Sequence, residues 1–134
     1  PSALVQASLP ELISQLARAF NGRTRIPIDI DIDNSISAPY KAKIAFYRIT
    51  QEALSNIQQH ANANQVRIIL TQDERTLTLH IIDDGIGFPQ KTDNHEHHGL
   101  AIMQERAAQI NATLEFTSQQ PGTTISLYWI ITQG

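Results

Sequence analysis

The chain has 134 residues, of which 41% are hydrophobic and 17% are charged, so we expect one soluble globular domain rather than a disordered segment. Its net charge of −3 argues against general attraction to nucleic acid or an anionic membrane, and the lack of cysteine excludes disulfides and thiolate metal sites. No apolar run approaches the ~20 residues of a membrane span, and no signal peptide is recognisable.

The first quarter of the chain predicts a helix followed by a strand. Ser8 and Glu11 form a capping-box pattern, and the apolar residues after it keep helical spacing as far as Phe20, so Asn21-Gly22 is expected to end the helix. Isoleucines alternate with other residues over 26–32, which predicts a strand with one wet face. Pro27 favours an edge position or the start of the strand.

The middle of the chain predicts a long helix and a hairpin. Ser37-Ala38-Pro39 opens a helix pattern with an apolar stripe that reaches about His60. Residues 65–71 and 75–83 have the composition of strands, and a short polar turn joins them.

The remainder predicts a loop, a third helix and a second hairpin. Residues 88–98 are polar without periodicity and are expected to form a long loop, a kind of segment that often acts as a lid. A helix is predicted over 100–110, and strands over 112–118 and 123–131. The order α-β-α-β-β-α-β-β predicts an α/β (α+β) two-layer sandwich, a mixed or mostly antiparallel five-stranded sheet covered on one face by three helices.

A polar row on the long helix is the first candidate site. Arg48, Glu52, Asn56 and His60 stand four residues apart and therefore share one face. The amide oxygen of Asn56 is a suitable ligand for Mg²⁺, and Glu52 is placed to orient or deprotonate a nucleophile near a γ-phosphate. The competing interpretation is a solvated face, but apolar residues flank the row and asparagine has poor propensity for a helix interior.

A second candidate site lies where the strand at 75–83 ends. Asp83 is its last residue, and an ionised carboxylate there is able to accept a hydrogen bond from the exocyclic amino group of adenine. Gly85 and Gly87 permit positive φ and the close approach of a ring or phosphate. The alternative is an ordinary acidic loop with a glycine turn.

Two further segments offer contacts for a nucleotide, although each pattern also occurs without one. Gly99, expected just before the third helix, would present unpaired N–H groups and the positive end of the helix dipole to phosphate. Thr124 would reach a base through its hydroxyl or through water. The cluster His95-Glu96-His97-His98 invites interpretation as a metal site. We favour a solvated part of the loop, because a linear cluster on a loop has no fixed geometry for a metal.

Taken together, these motifs resemble the ATP-binding catalytic domain of sensor histidine kinases over residues 8–132. Residues 46–61 resemble the N box of that family, residues 83–88 its G1 box and residues 122–124 its last glycine box. Residues 98–107 are similar to the G2 region of a subgroup that includes the nitrate/nitrite sensor kinases.

The resemblance implies the Bergerat ATP-binding fold, shared with Hsp90, type II topoisomerases and MutL proteins, and a requirement for ATP and Mg²⁺. It implies that Asn56 coordinates Mg²⁺, that Glu52 lies near the γ-phosphate as a base or polariser, and that Asp83 binds the adenine amino group. Further contacts are implied for His60 with phosphate, for Gly85, Gly87, Gly99 and Leu100 with the pocket and lid, and for Thr124 with the base.

Two residues of this chain depart from the family pattern, and the chain contains no histidine in the setting expected of a phosphoacceptor. Gln59 stands where these kinases often have a lysine, and His97 stands where many have a glycine. None of the five histidines has the acidic, leucine-rich helix expected around a phosphoacceptor. Residues 1–134 are therefore expected to be the catalytic domain alone, inactive in autophosphorylation without an upstream dimerisation domain.

The expected activity is that of a protein histidine kinase. It would bind Mg·ATP and donate the γ-phosphate to a histidine of the dimerisation domain, for relay to a response regulator. The resemblance also implies a membrane-bound homodimeric parent protein in the inner membrane, with this domain in the cytoplasm and no nucleic-acid partner. Two alternatives stay open: a nucleotide-gated interaction module without phosphotransfer, and an ATPase of the Hsp90/MutL branch.

Overall fold

The computed structural model describes residues 2–86, 94–118 and 121–131, without the side chains of residues 2, 3, 61 and 94–98. In chain order the elements are α1 (Ser2–Gln6), α2 (Leu9–Thr24), β1 (Ile28–Ile32), α3 (Tyr40–Asn56), a π-helical turn (Ile57–Ala61), β2 (Val66–Gln72), β3 (Thr76–Asp83), α4 (Asn94–Gln109), β4 (Thr113–Ser118) and β5 (Thr123–Ile130). The predicted order is confirmed, with the short helix α1 added before it.

The five strands form one mixed sheet in the order β1-β2-β3-β5-β4. β1 pairs with β2 in parallel because α3 crosses over between them, and the other three pairings are antiparallel. β1 lies at an edge and begins directly after Pro27, so both positions that this proline favoured are found. The mixed, mostly antiparallel sheet is confirmed.

The core lies between one face of this sheet and the helices. Alternate residues of β3 are buried on this face, and the same period holds in β5. Burial of each large apolar side chain contributes ~1.5–3 kcal/mol, so this layer dominates the stability of the fold. Its largest buried members are Leu9, Ile13 and Phe20 of α2, Phe46 and Ile49 of α3, Ile68 and Leu70 of β2, Leu77, Leu79 and Ile81 of β3, Met103 of α4, and Leu127 of β5.

The first predicted helix begins as expected but ends later. The Ser8 hydroxyl accepts a hydrogen bond from the N–H of Glu11 at 3.2 Å, which caps α2. The helix continues through Asn21-Gly22 to Thr24, and Arg25 adopts the left-handed conformation with φ of 64°. The predicted end was wrong because the Asn21 side chain donates to the carbonyl of Ile26, which lets the pair remain in the last turn.

The third predicted helix begins earlier than expected. α4 starts at Asn94, so the prediction of a loop is wrong for residues 94–98, and residues 88–93 lie outside the described part of the chain. Extending a helix backwards adds one hydrogen bond per residue without a new nucleus, so it requires no apolar periodicity. Gly99 is consequently inside α4 rather than before it. Within the described ranges no helix has the length and apolar character needed to cross a membrane.

Candidate functional site

The end of α3 and the end of β3 meet at one end of the sandwich. A short connection leads from the π-helical turn after α3 into β2, whose first residue, Val66, pairs with Asp83 at the end of β3. The Asp84 carboxylate holds the start of β2 against the end of β3. Its Oδ1 accepts hydrogen bonds from the N–H groups of Asn64 at 2.8 Å and Gln65 at 2.9 Å. The two candidate sites from the sequence therefore belong to the same region of the fold.

Asn56 is the most unusual polar side chain in this region. It is the last residue of α3, it is only 7% exposed, and its side-chain nitrogen is buried without a hydrogen-bond partner among the described residues. A buried polar group left unpaired costs ~1–3 kcal/mol, so such a group calls for an explanation, and a ligand is one. The π-helical turn that follows is also a feature frequent at functional sites.

Gly99 of α4 covers Asn56 and the half-buried Glu52. A Cβ atom at Gly99 would stand 2.9 Å from Oδ1 of Asn56, 2.9 Å from Oε1 of Glu52 and 3.0 Å from Nδ2 of Asn56. Only glycine brings the α4 backbone this close to α3 without displacing both side chains. The structure thus brings Glu52, Asn56 and Gly99 together, but not through free N–H groups at a helix start, as the sequence predicted.

Asp83 is the second buried polar group of the site. It is 6% exposed, and its Oδ1 accepts a hydrogen bond from the N–H of Gly85 at 2.8 Å. Burial raises the pKa of Asp83, the hydrogen bond from Gly85 opposes the rise, and the charge of Asp84 adds to it. Gly122, with φ of 106°, lies against the Asp83 carbonyl, where a Cβ would collide with the oxygen. Glycine at 122 is therefore required to bring β5 against the end of β3.

The structure separates Thr124 from Asp83. In the antiparallel register Asp83 pairs with Thr123, and Thr124 pairs with Ile82. Because side chains alternate between faces, Thr123 shares the helix-covered face with Asp83, where it is 5% exposed, and Thr124 lies on the opposite face. The hydroxyl available beside Asp83 is that of Thr123, which we had missed. Counting the alternation back from the apolar residues of β5 would have found it.

The remaining predicted residues have different surroundings. His60 is half-buried in the π-helical turn and has interactions of its own. Leu100 is half-buried in α4 beside Gly99, whereas Gly87 lies outside the described residues. No cluster of three metal-ligating side chains occurs in the described part of the chain, which does not include the side chains of His95, His97 and His98.

This arrangement has the chemistry needed to bind a magnesium nucleotide. Asp83 offers a buried acceptor for an amino group, and Asn56 offers a buried amide oxygen of the kind that Mg²⁺ accepts, beside an unpaired donor for a phosphate oxygen. Residues 41–133 match the model of the family described as histidine kinase-, DNA gyrase B- and HSP90-like ATPase. The chain belongs to this family.

Relatives and solved structures agree with this ATPase assignment. The chain is 28% identical to the nitrate/nitrite sensor protein NarQ of Escherichia coli over 91% of its length, and 35% identical to the sensor histidine kinase LiaS of Bacillus subtilis over 95%. It superposes on the histidine kinase domain of a blue-light activated histidine kinase from Erythrobacter litoralis with a TM-score of 0.79 and 23% identity, covering 91% of this chain and 60% of that one. This likeness establishes the Bergerat fold predicted from the sequence.

The comparisons do not support the narrower assignment to nitrate/nitrite sensors. The sequence identity to LiaS is higher than that to NarQ, and the identities to other sensor kinases are similar. The ATPase domain also spans only 22% of NarQ and 35% of LiaS. The rest of those proteins lies outside the similarity.

Proposed function

We propose that this chain is the ATP-binding catalytic domain of a two-component sensor histidine kinase. It binds Mg·ATP, and the γ-phosphate passes to a histidine on the dimerisation domain and then to an aspartate of a response regulator. The parent protein is a homodimer in the inner membrane, with this domain on the cytoplasmic side. The buried, unpartnered amide of Asn56 is the observation that carries the proposal, because a ligand gives that group the partner it lacks.

Asn56 holds Mg²⁺ through its amide oxygen, and the metal supplies charge neutralisation at the phosphates when it is bound. Glu52 lies beside Asn56 and orients or polarises the incoming nucleophile. His60 contacts phosphate, and the backbone at Gly85, Gly87, Gly99 and Leu100 shapes the pocket.

Asp83 selects adenine over guanine in this proposal. A carboxylate is only an acceptor, so it bonds to the amino group of adenine and repels the carbonyl oxygen that guanine carries at that position. Thr123 replaces Thr124 as the hydroxyl that assists at the base, because Thr123 pairs with Asp83 on the same face of the sheet.

The base assignment is tested by nucleotide titration of the chain and its Asp83→Asn variant. We expect the variant to bind Mg·ATP about 10- to 100-fold more weakly, the equivalent of a charged hydrogen bond worth ~1.5–3 kcal/mol. Its preference for ATP over GTP should also shrink. Asp31→Asn, which removes an exposed carboxylate far from the site, is the matched control and should bind as the parent does. Equal ATP affinity in all three proteins would show that Asp83 does not bind the base.

The phosphotransfer step requires the parent protein with its dimerisation domain. There, Asn56→Asp is expected to abolish labelling of a histidine by γ-labelled ATP. The substitution replaces the neutral amide at the proposed metal site with a carboxylate, which adds a second negative charge beside that of Glu52. ATP binding by the parent without any histidine labelling would favour the nucleotide-gated module. Appreciable ATP hydrolysis by this chain alone would favour an ATPase of the Hsp90/MutL branch.

A further inference from the structure

A second concave surface lies at the end of the sandwich opposite the nucleotide site. It is formed by the start of α3, the end of α4 and the end of β5, and it encloses about 670 Å³. A shallower section of about 190 Å³ continues it between α3 and α4. We call these two sections together the distal groove. It begins at Tyr40, ~24 Å along α3 from Asn56, so the proposed ATPase site makes no use of it.

The distal groove has an apolar lining that remains open to solvent. Its floor contains Ala42, which is fully buried, and Trp129, which is 8% exposed. Its wall carries Tyr40 at 52% exposure, one of the five large hydrophobic residues that are well exposed among the described residues, and the chain at Ile130 closes its far end. Exposed apolar side chains gathered around a concavity mark an interaction site more often than single scattered ones do.

Among the described residues that line the distal groove, both charged side chains are positive. Lys41 and Arg106 line it, and neither has an ionic partner among the described residues. Pro39, the N-cap of α3, makes no side-chain hydrogen bond to the helix, and no acidic residue lies in the first turn. The positive end of the α3 dipole therefore faces the groove without compensation.

The carbonyl groups at the negative end of α4 are partly paired within the fold. The Ala107 carbonyl accepts hydrogen bonds from the N–H groups of Ile110 and Ala112, and the Ile110 carbonyl accepts one from Nε1 of Trp129 at 3.1 Å. With these carbonyls occupied, the groove combines apolar walls with a net positive rim on a chain whose net charge is −3. An occupant that complements it has an apolar face and acidic flanks.

We propose that the distal groove binds an amphipathic α-helix of a partner protein, with acidic side chains flanking its apolar face. A helix fits better than an added strand, because β3 pairs with the whole of β5 and β4 pairs with it as far as Tyr128, which leaves one side of only Trp129 and Ile130 open to a further strand. The apolar face packs on Tyr40 and Trp129, and the acidic residues meet Lys41, Arg106 and the start of α3.

The test uses a synthetic helical peptide of about 18 residues, five turns, with leucines at i, i+3, i+4 and i+7 spacing and glutamates on both flanks. Trp129 is the only tryptophan of the chain, so its fluorescence reports binding at the groove directly. We expect the glutamate peptide to bind at least ten-fold more tightly than the same peptide with lysines, and more weakly as salt is raised. Backbone NMR shifts should map to the ends of α3, α4 and β5.

Charge reversal separates a groove contact from general charge attraction. Lys41→Glu with Arg106→Glu should weaken the glutamate peptide at least ten-fold. The control, Arg18→Glu with Arg23→Glu, changes the net charge equally at exposed positions of α2 and should change affinity less than two-fold. Circular dichroism verifies that both variants are folded.

Three results would each overturn the proposal. One is equal affinity for the glutamate and lysine peptides, and another is full affinity in the groove variant. The third is sedimentation that shows the free chain dimerising through these residues, which would make a second copy the occupant. Because Asp83→Asn should leave peptide binding unchanged, failure here does not depend on whether the ATPase proposal is correct.

Discussion

Asp83, the residue proposed to bind adenine, opposes stability at the scale of a single side chain. Its carboxylate is 6% exposed, and burial raises its pKa above the ~3.9 of an unfolded aspartate. The folded chain therefore holds this proton more tightly than the unfolded chain does. The stability linked to this residue is full below the unfolded pKa and is lost as the pH rises through the folded pKa.

The resulting prediction concerns the Asp83→Asn variant. Asparagine keeps an oxygen for the N–H of Gly85 and removes the buried charge, so the free energy of unfolding at pH 7 should exceed that of the parent. The difference should close as the pH falls below about 4, where the parent is also neutral. Urea denaturation at both pH values measures it. A variant less stable than the parent at pH 7 would show that the charge is compensated in the fold.

At the scale of elements, the contact between α3 and α4 depends on Gly99. Gly99→Ala adds ~1 kcal/mol of helix propensity to α4 but pushes a methyl group against Glu52 and Asn56. We expect these effects to offset each other in thermal unfolding, whereas Mg·ATP affinity falls at least ten-fold. Ala101→Gly, at an exposed position of the same helix, is the control: it should lower stability and leave affinity nearly unchanged. Unchanged affinity in Gly99→Ala would place this contact outside the site.

Lys43 connects α3 to the first residues of the chain. Its ammonium group donates hydrogen bonds to the carbonyls of Val5 and Ala7, each at 3.0 Å, and the residue is only 8% exposed. This buried cation thus compensates the carbonyl end of α1, a helix too short to be stable alone.

We expect Lys43→Met to release α1 from the domain. The free energy of unfolding should fall by ~1–3 kcal/mol, and amide exchange should accelerate in residues 2–7 while the core strands stay protected. The exposed neighbour Lys41 provides the control, since Lys41→Met should change stability by less than ~0.5 kcal/mol. Uniform acceleration of exchange across the chain would mean that Lys43 supports the whole fold instead.

At the scale of the whole molecule, the two ends of the sandwich differ in chemical character. The end with Asn56 and Asp83 contains buried polar groups that lack partners or charge compensation, and the opposite end has an apolar groove with a cationic rim. Between them lies a continuous core that couples both ends to one folding transition.

Ligand binding should therefore stabilise the entire domain. Mg·ATP at about 100 times its Kd adds ~2.7 kcal/mol, which raises the Tm of a domain of this size by about 10 °C. Chelation of Mg²⁺ with EDTA should remove most of the shift, and Asp83→Asn should need more ATP to reach it. Differential scanning fluorimetry measures all three. A Tm that does not respond to Mg·ATP would contradict nucleotide binding by this chain.

Much of this architecture could be predicted from the sequence, because it depends on the periodicity and capping residues of short segments. The alternation of 75–83 predicted β3, the capping box at Ser8 predicted the start of α2, and the order of elements predicted the two-layer sandwich. The positions of Asn56 on a helix and of Asp83 at the end of a strand were also predictable, since they depend on local pattern.

Other features depended on partners distant in sequence and were missed or wrong. The early start of α4 could not be predicted, because residues 94–98 have no apolar periodicity. The end of α2 lies later than predicted, where the Asn21 side chain donates a hydrogen bond to the Ile26 carbonyl. The exchange of Thr123 for Thr124 followed from the β3–β5 register, which depends on how two strands meet.

The sequence by itself determined the elements, the family and the residue types of the candidate site, because periodicity, caps and motif spacing are local. Only the tertiary structure decided which side chains lose water and which approach each other. It left the Asn56 amide unpaired, set Gly99 over it, raised the pKa of Asp83 and opened the distal groove. Burial and contact depend on chain segments far apart in sequence, and a sequence pattern does not measure the distance between them.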